Sequence, residues 1–140
     1  MGKKITNTLC HCTRLHRSEE NVTRFYDRCL RPSGVTARQY ALLRQIHLHP
    51  GCSVRELADV TELDRSTLTR NLKVLFRQEY IVDRKETGKR NSQLYLTPVG
   101  EKVCKQANKF WEKAQREYEE KIGPENVAEL ERILLKLQDL

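Results

Sequence analysis

The sequence predicts a mainly α-helical protein of about six helices with one small β-hairpin, folded as a single domain over residues 1–140. Apolar residues recur at helical spacing along most of the chain, capping residues and Pro/Gly pairs divide it into segments, and strict alternation appears in one segment. A chain of 140 residues can bury one modest core but hardly two. The first residues lack the apolar core of a secretion signal, and no apolar run could cross a bilayer, so we expect a cytoplasmic protein.

The first two helices are long and end at clear breaks. Residues 6–30 carry apolar side chains that a helix would place on one side, and Arg31-Pro32-Ser33-Gly34 ends that pattern. Those side chains belong to Leu9, Cys12, Leu15, Val22, Phe25, Tyr26 and Cys29. Thr36 can cap a second helix, which ends at Pro50-Gly51.

Two shorter helices follow in close succession. Ser53 and Glu56 have the spacing of a capping box, which predicts a third helix ending near Val60. Asp64 can cap a fourth helix, Asp64–Gln78, which we call the reading helix. Its predicted buried stripe is Leu68, Leu72 and Leu75. Its other face is polar and basic.

A hairpin and two helices complete the chain. Alternating residues with a basic tip predict a hairpin over Val82–Leu96, which we call the wing. Thr97-Pro98 can cap and open a fifth helix that stops at Gly123-Pro124. Its predicted inner face is Val99, Val103, Ala107, Phe110, Ala114 and Tyr118. The last helix places Val127, Leu130, Leu134 and Leu137 in a seam of the kind that packs against another helix.

Two short helices followed by a basic hairpin form a winged helix-turn-helix, which predicts binding to double-stranded DNA. The net charge of +7 and the pI near 9.3 agree with a polyanionic partner. On the reading helix the candidate contacts are Arg65, Ser66, Thr67, Thr69, Arg70 and Lys73. Arg65 or Arg70 is expected to contact a base and Lys73 a phosphate, while Ser66 and Thr67 at the helix start can bind phosphate.

The wing supplies a second set of basic residues. Lys89 and Arg90 lie at its turn and are expected to reach the adjacent minor groove, whose negative potential attracts arginine. Arg84 and Lys85 are expected to contact phosphates.

The same residues are compatible with other functions to different degrees. The charges could be an ordinary solvated face, but cap, apolar stripe, polar face and basic hairpin occur together in the order that DNA reading requires. The chain has no phosphate-binding glycine loop, nucleophile elbow or metalloprotease helix, so an enzyme is not expected, and no cofactor is predicted. An RNA-binding or architectural protein could use the same basic surface without sequence preference.

The sequence closely resembles the MarR family of regulators along nearly its whole length. The resemblance rests on the stretches Val35–Leu43, Val54–Ala58, Leu63–Leu72 and Leu96–Gly100. It implies a homodimer held by residues 6–31 and 98–140, with residues 36–97 binding a pseudo-palindromic site. It also implies repression that a small molecule or oxidation relieves. The wing departs from the family pattern, because Gly88 stands where the family usually has an aspartate.

The cysteines and aromatic residues suggest what such a regulator could sense. The five cysteines form an odd set and are read as reduced thiols. Cys12 falls where the peroxide-sensing branch of the family keeps its reactive cysteine. Tyr26 matches a supporting tyrosine of that branch, and His16 replaces another. The alternative is that Cys12 is a buried, inert thiol.

The remaining cysteine, histidine and aromatic residues have structural or ligand-binding interpretations. Cys12 and His16, one helical turn apart, could bind a metal, but the favoured interpretation contains no metal site. Cys52 and Cys104 are interpreted as structural. Tyr40 and Trp111 either line a ligand crevice or belong to the core.

Overall fold

A computed structural model describes residues 10–140 and confirms the predicted fold class. The described chain has six α-helices and one two-stranded antiparallel sheet. In chain order the elements are α1 (His11–Leu30), a 3₁₀ turn (Arg31–Ser33), α2 (Ala37–Leu48), α3 (Val54–Thr61), α4 (Arg65–Arg77), β1 (Ile81–Asp83), β2 (Leu94–Leu96), α5 (Pro98–Ile122) and α6 (Pro124–Leu137). The predicted start of the first helix, at residue 6, lies outside the described residues.

The predicted caps start the middle helices. Thr36 and Gln39 form a reciprocal capping box at α2, and Ser53 and Glu56 form another at α3. The Thr97 hydroxyl accepts a hydrogen bond from the backbone of Gly100 at the start of α5. These local hydrogen bonds explain why the boundaries of the helices could be predicted from short sequence signals.

The core lies between α2, α4, α5 and the sheet. Helix α1 packs on α5, while α2 contacts α5, β2, α3 and α4. The stripe of Leu68, Leu72 and Leu75 is buried as predicted. It attaches α4 to the core by one side, because residues three and four apart lie on the same face of a helix.

One prediction about α5 is wrong. Val99 was placed on the inner face, but 55% of its side chain is exposed. The buried residues of this end of α5 are Ala107, as predicted, and Gly100 and Cys104, which were not placed on that face. A Cβ atom on Gly100 would lie 1.9 Å from the Tyr80 carbonyl oxygen, so only glycine allows this close approach. Docking of Gly100 turns Val99, about 100° around the helix, towards solvent.

The last helix buries none of its own side chains. Leu130, Ile133, Leu134 and Leu135 of α6 are each at least 36% exposed. Leu15 and Val22 on α1 are exposed as well. An apolar helix face of this size is uncommon on a chain that stays single, and it includes two leucines of the predicted seam.

Candidate nucleic-acid interface

The outer face of α4 is polar and open to solvent. Arg65, Ser66, Thr69, Arg70 and Lys73 are exposed, and the helical period places Ser66, Arg70 and Lys73 on the side opposite the buried leucines. A helix held by one apolar side can present its other side to a groove in a nucleic acid. The structure therefore leaves five of the six predicted contacts of the reading helix exposed, and Thr67 partly exposed.

The hydroxyl groups of Ser66 and Thr67, which were predicted to face DNA, form hydrogen bonds with Asp64 in the free chain. The Ser66 hydroxyl donates to Asp64 Oδ1 at 2.7 Å, and the Thr67 hydroxyl donates to Asp64 Oδ2 at 2.8 Å. The backbone of Thr67 also donates to Asp64 Oδ1. These hydrogen bonds, with that of the Thr67 backbone first, lower the pKa of Asp64 to about 2. The ionised cap thus engages both hydroxyl protons in the free chain.

A second carboxylate organises the base of the wing. Asp83 Oδ1 accepts hydrogen bonds from the backbone of Lys85 and of Gln93, each at 2.9 Å. Asp83 pairs with Leu94 across the antiparallel strands. This role of Asp83 was not predicted from the sequence, where only the aspartate position held by Gly88 was noted. The feature of the sequence that could have predicted this contact is an aspartate at the end of the first strand.

The tip of the wing is a tight turn. The backbone of Lys89 donates to the Glu86 carbonyl at 3.1 Å, and Gly88 has a φ of +88°. That left-handed conformation favours glycine, which gives a physical reason for the departure from the family pattern. The Lys89 ammonium lies 3.7 Å from the Glu86 carboxylate, and Arg90 is exposed.

The wing is tied to the start of α3. Cys52 forms an isolated bridge with Leu94, and Ser92 Oγ accepts from the backbone of Val54 at 2.9 Å. The Arg84 guanidinium lies 4.8 Å from the centre of the Tyr95 ring, which directs this cation along the hairpin. Sequence reasoning missed this extra pairing, because the residues that meet are about 40 positions apart.

Four of the five thiols are either buried or exposed, and Cys29 is half-buried. Cys52 and Cys104 are buried, in agreement with a structural role, and burial raises the pKa of Cys104 to about 11. Cys10 and Cys12 are exposed, so the alternative of a buried Cys12 does not hold for the single chain. Cys10 precedes α1 and its Sγ lies 3.0 Å from Thr13 Oγ1, a hydrogen bond that lowers the pKa of the Cys10 thiol.

Of the two residues predicted to support Cys12, His16 lies one helical turn away, whereas Tyr26 is remote within one chain. Tyr26 lies fourteen positions further along α1, about 21 Å at the rise of an α-helix. The Tyr26 hydroxyl donates to Gln115 on α5, and burial raises the pKa of Tyr26. His16 Nε2 lies 3.2 Å from Glu20. Within residues 10–140, no three Cys, His, Asp or Glu side chains are arranged to hold a metal ion.

A cavity of about 620 Å³ opens between α2 and α5. Its wall includes the cations of Arg44, Lys102 and Lys105. Tyr40 also lines it, although its side chain is only 2% exposed and its hydroxyl donates to Asn108 at 2.6 Å. Tyr40 therefore belongs to both the core and the cavity. Trp111 packs beside Tyr40, with the Arg44 guanidinium 4.8 Å from its ring centre.

In the described part of the chain, no helix combines the length and apolar character that spanning a membrane requires.

The sequence matches the profile of the MarR family over residues 33–90. This stretch contains α2, α3, α4 and most of the wing. A comparison with curated proteins finds no significant match.

Solved structures of similar fold cover most of the chain. A DNA complex of the regulator MosR from M. tuberculosis is 28% identical with a TM-score of 0.77, covering 94% of this chain and 98% of that one. A mutant of MarR from E. coli with operator DNA is 24% identical with a TM-score of 0.79, covering 90% and 91%. The repressor CouR on a DNA duplex is 21% identical with a TM-score of 0.80, covering 92% of each chain.

Proposed function

The chain belongs to the MarR family, whose members are DNA-binding transcription regulators and not enzymes, and from this premise we propose that it is a sequence-specific repressor acting as a homodimer. The observation that carries the proposal is the two-sided character of α4. Leu68, Leu72 and Leu75 hold one side in the core, and the basic, hydroxyl-bearing side is exposed beside the wing. Solved relatives of this fold include complexes with DNA.

The contacts divide into base reading and backbone binding. We assign base contact to Arg65 or Arg70, with Thr69 beside them, and phosphate contact to Lys73. Ser66 and Thr67 can accept a phosphate only by rotating their hydroxyls away from Asp64, so their contribution should be smaller than that of the arginines.

The wing extends the same surface. Lys89 and Arg90 at the turn are assigned to the minor groove, and Arg84 and Lys85 to phosphates. Asp83 is a positioning residue for all four, because its carboxylate joins the two sides of the hairpin at its base.

Dimerisation is assigned to residues 6–31 and 98–140, and DNA binding to residues 36–97. The exposed leucines of α6 and the exposed apolar residues of α1 support this assignment, since a partner copy would cover them. Two copies are needed to place two reading helices in successive major grooves.

Release from DNA is assigned to a small ligand or to thiol oxidation. The cavity between α2 and α5 supports a ligand, because its cations would favour an organic anion and its exposed Leu48 an apolar body. Helix α5 belongs to the dimerisation region and α2 to the DNA-binding part, so an occupant between them could change the spacing of the reading helices. For oxidation, the candidate thiol is Cys12, with Cys10 as its exposed neighbour.

The test is binding to duplexes captured from genomic DNA by the purified protein, compared with scrambled duplexes of equal length. Arg70→Ala should lower affinity for captured duplexes by about 1–3 kcal/mol and relax base preference. Lys73→Ala should weaken binding to every sequence alike. Equal affinity of the parent protein for captured and scrambled duplexes would favour an architectural protein and would refute sequence-specific regulation.

A further inference from the structure

Arg38, in the first turn of α2, lies where two surface grooves meet. One groove, of about 210 Å³, lies between α1, α2 and α4 and has Arg38, Arg70 and Thr67 in its wall. The other, of about 420 Å³, runs along α1 and has Arg38 and Glu19 in its wall. The Arg38 side chain is therefore placed next to the exposed face of α4, although it belongs to a different helix.

The backbone at the start of α2 is already satisfied. The backbone of Ala37 donates to Asp27 Oδ1 at 2.8 Å, and that of Gln39 donates to the Thr36 hydroxyl at 3.2 Å. The backbone of Thr36 donates to the Gln39 side chain at 3.0 Å. An anion that enters the groove beside α4 would thus be bound by the guanidinium of Arg38, and the helix terminus alone would not attract it.

Arg38 has a carboxylate partner in the free chain. Its Nη2 lies 3.3 Å from Glu19 Oε1, and the same oxygen accepts a hydrogen bond from Thr23 at 2.9 Å. The side chains of Arg38 and Glu19 are 49% and 51% exposed. An ion pair this exposed changes an equilibrium by only about 1.4- to 5-fold, so a phosphate can replace the carboxylate.

We propose that Arg38 binds a DNA phosphate next to the backbone segment that α4 contacts, and that it exchanges Glu19 for that phosphate when DNA binds. The proposal rests on the proposed DNA-binding function and adds a contact that lies outside both the reading helix and the wing. Arg38 and Arg70 would hold neighbouring phosphates or a phosphate and a base edge, since both line the same groove. Glu19 then acts as an internal competitor, carried by the helix that we assign to dimerisation.

The experiment measures binding of a captured genomic duplex and of its scrambled counterpart by fluorescence anisotropy over a series of salt concentrations. Arg38→Ala should reduce the slope of log affinity against log salt by about 0.9 for each protomer in contact. If the contact contributes nothing at about 1 M salt, this slope means that the variant binds roughly eightfold more weakly per contact at about 0.1 M salt. The loss of affinity should be equal for both duplexes. Arg38→Lys should keep most of the slope, because it keeps the charge.

The competitor is tested with Glu19→Gln. This change should raise affinity by about 1.4- to 5-fold in the parent and should do nothing in the Arg38→Ala background. Glu20→Gln removes a neighbouring charge that faces His16, and so controls for general repulsion of DNA. Arg116→Ala, an exposed arginine on α5, controls for general attraction.

The outcomes distinguish a failure of the proposed DNA-binding function from a failure of the Arg38 contact. A parent protein that binds neither duplex would refute the proposed function itself. If the parent binds and Arg70→Ala weakens it while Arg38→Ala leaves the salt slope unchanged, no phosphate occupies Arg38 and the inference is wrong. If Glu19→Gln raises DNA affinity equally with and without Arg38, Glu19 does not compete with DNA for Arg38. The same conclusion follows if Glu19→Gln raises DNA affinity no more than Glu20→Gln does.

Discussion

Gly100 is the residue whose replacement should show most directly how α5 is docked onto the winged part of the chain. A Cβ atom at this position would lie 1.9 Å from the Tyr80 carbonyl oxygen and 2.8 Å from its carbonyl carbon. Both atoms belong to the backbone, so no side chain can rotate away. The Tyr80 oxygen also accepts a hydrogen bond from the backbone of Thr97 at 3.0 Å, which holds the contact closed.

The expected cost of Gly100→Ala follows from this geometry. The gap must widen by at least about 1.1 Å to reach 3.0 Å, below which real Cβ atoms are essentially never found. Overpacking of this kind costs about 1–3 kcal/mol, and a clash between backbones belongs at the upper end of that range. At about 2–4 °C per kcal/mol, we expect the melting temperature to fall by roughly 6–12 °C.

The assay is urea unfolding followed by circular dichroism, with Val99→Ala as the matched control. Val99 is the adjacent residue and 55% of its side chain is exposed, so its truncation should change the free energy of unfolding by about 0.5 kcal/mol or less. DNA affinity should fall as well in the folded fraction, because Thr97 joins β2 of the wing to α5. A Gly100→Ala protein with the unfolding midpoint of the parent would refute the close approach of α5 to Tyr80.

Three further changes test the dimer, the thiols and the buried tyrosine. Leu134→Asp should shift the protein from dimer to monomer in light scattering at micromolar concentration, because it places a charge in the exposed apolar face of α6; an unchanged mass would exclude that face from the interface. Peroxide should release DNA from the parent and not from Cys12→Ser, whereas loss of the response only in Cys10→Ser would identify the thiol with the lowered pKa as the sensor. Burial raises the pKa of Tyr40 from 10.0 to about 12, so the unfolded chain loses this proton at a lower pH than the folded chain does. The free energy of unfolding should therefore fall as the pH rises from about 10 to about 12. Tyr40→Phe should remove that component while costing about 1 kcal/mol at neutral pH through its lost hydrogen bond to Asn108, and an unchanged alkaline profile would contradict the assignment.

Signals within a few residues of one another were the ones that sequence reasoning used successfully. The caps at Thr36, Ser53, Asp64 and Thr97 all form as predicted. The leucine stripe of α4 is buried for the same reason, since the period of a helix fixes which residues share a face. These features depend on local hydrogen bonds and on periodicity, and both can be recognised in a short window of sequence.

Contacts between distant segments were not predictable in this way. The hairpin was expected from alternation, but its pairing with Cys52 and the bond from Val54 to Ser92 join segments about 40 residues apart. The exposure of Val99 was missed because helical period alone cannot say which neighbour a glycine must approach.

The sequence by itself determined the order of the helices, the caps that start them and the sign of the charge on the outer face of α4. Only the tertiary structure decided that Arg38 reaches the groove beside Arg70, and that Cys52 ahead of α3 pairs with Leu94 of the wing. Helix boundaries are set by atoms a few bonds apart along the chain. The availability of a side chain for DNA depends on which other segments pack against it, and that is fixed only when the whole chain folds.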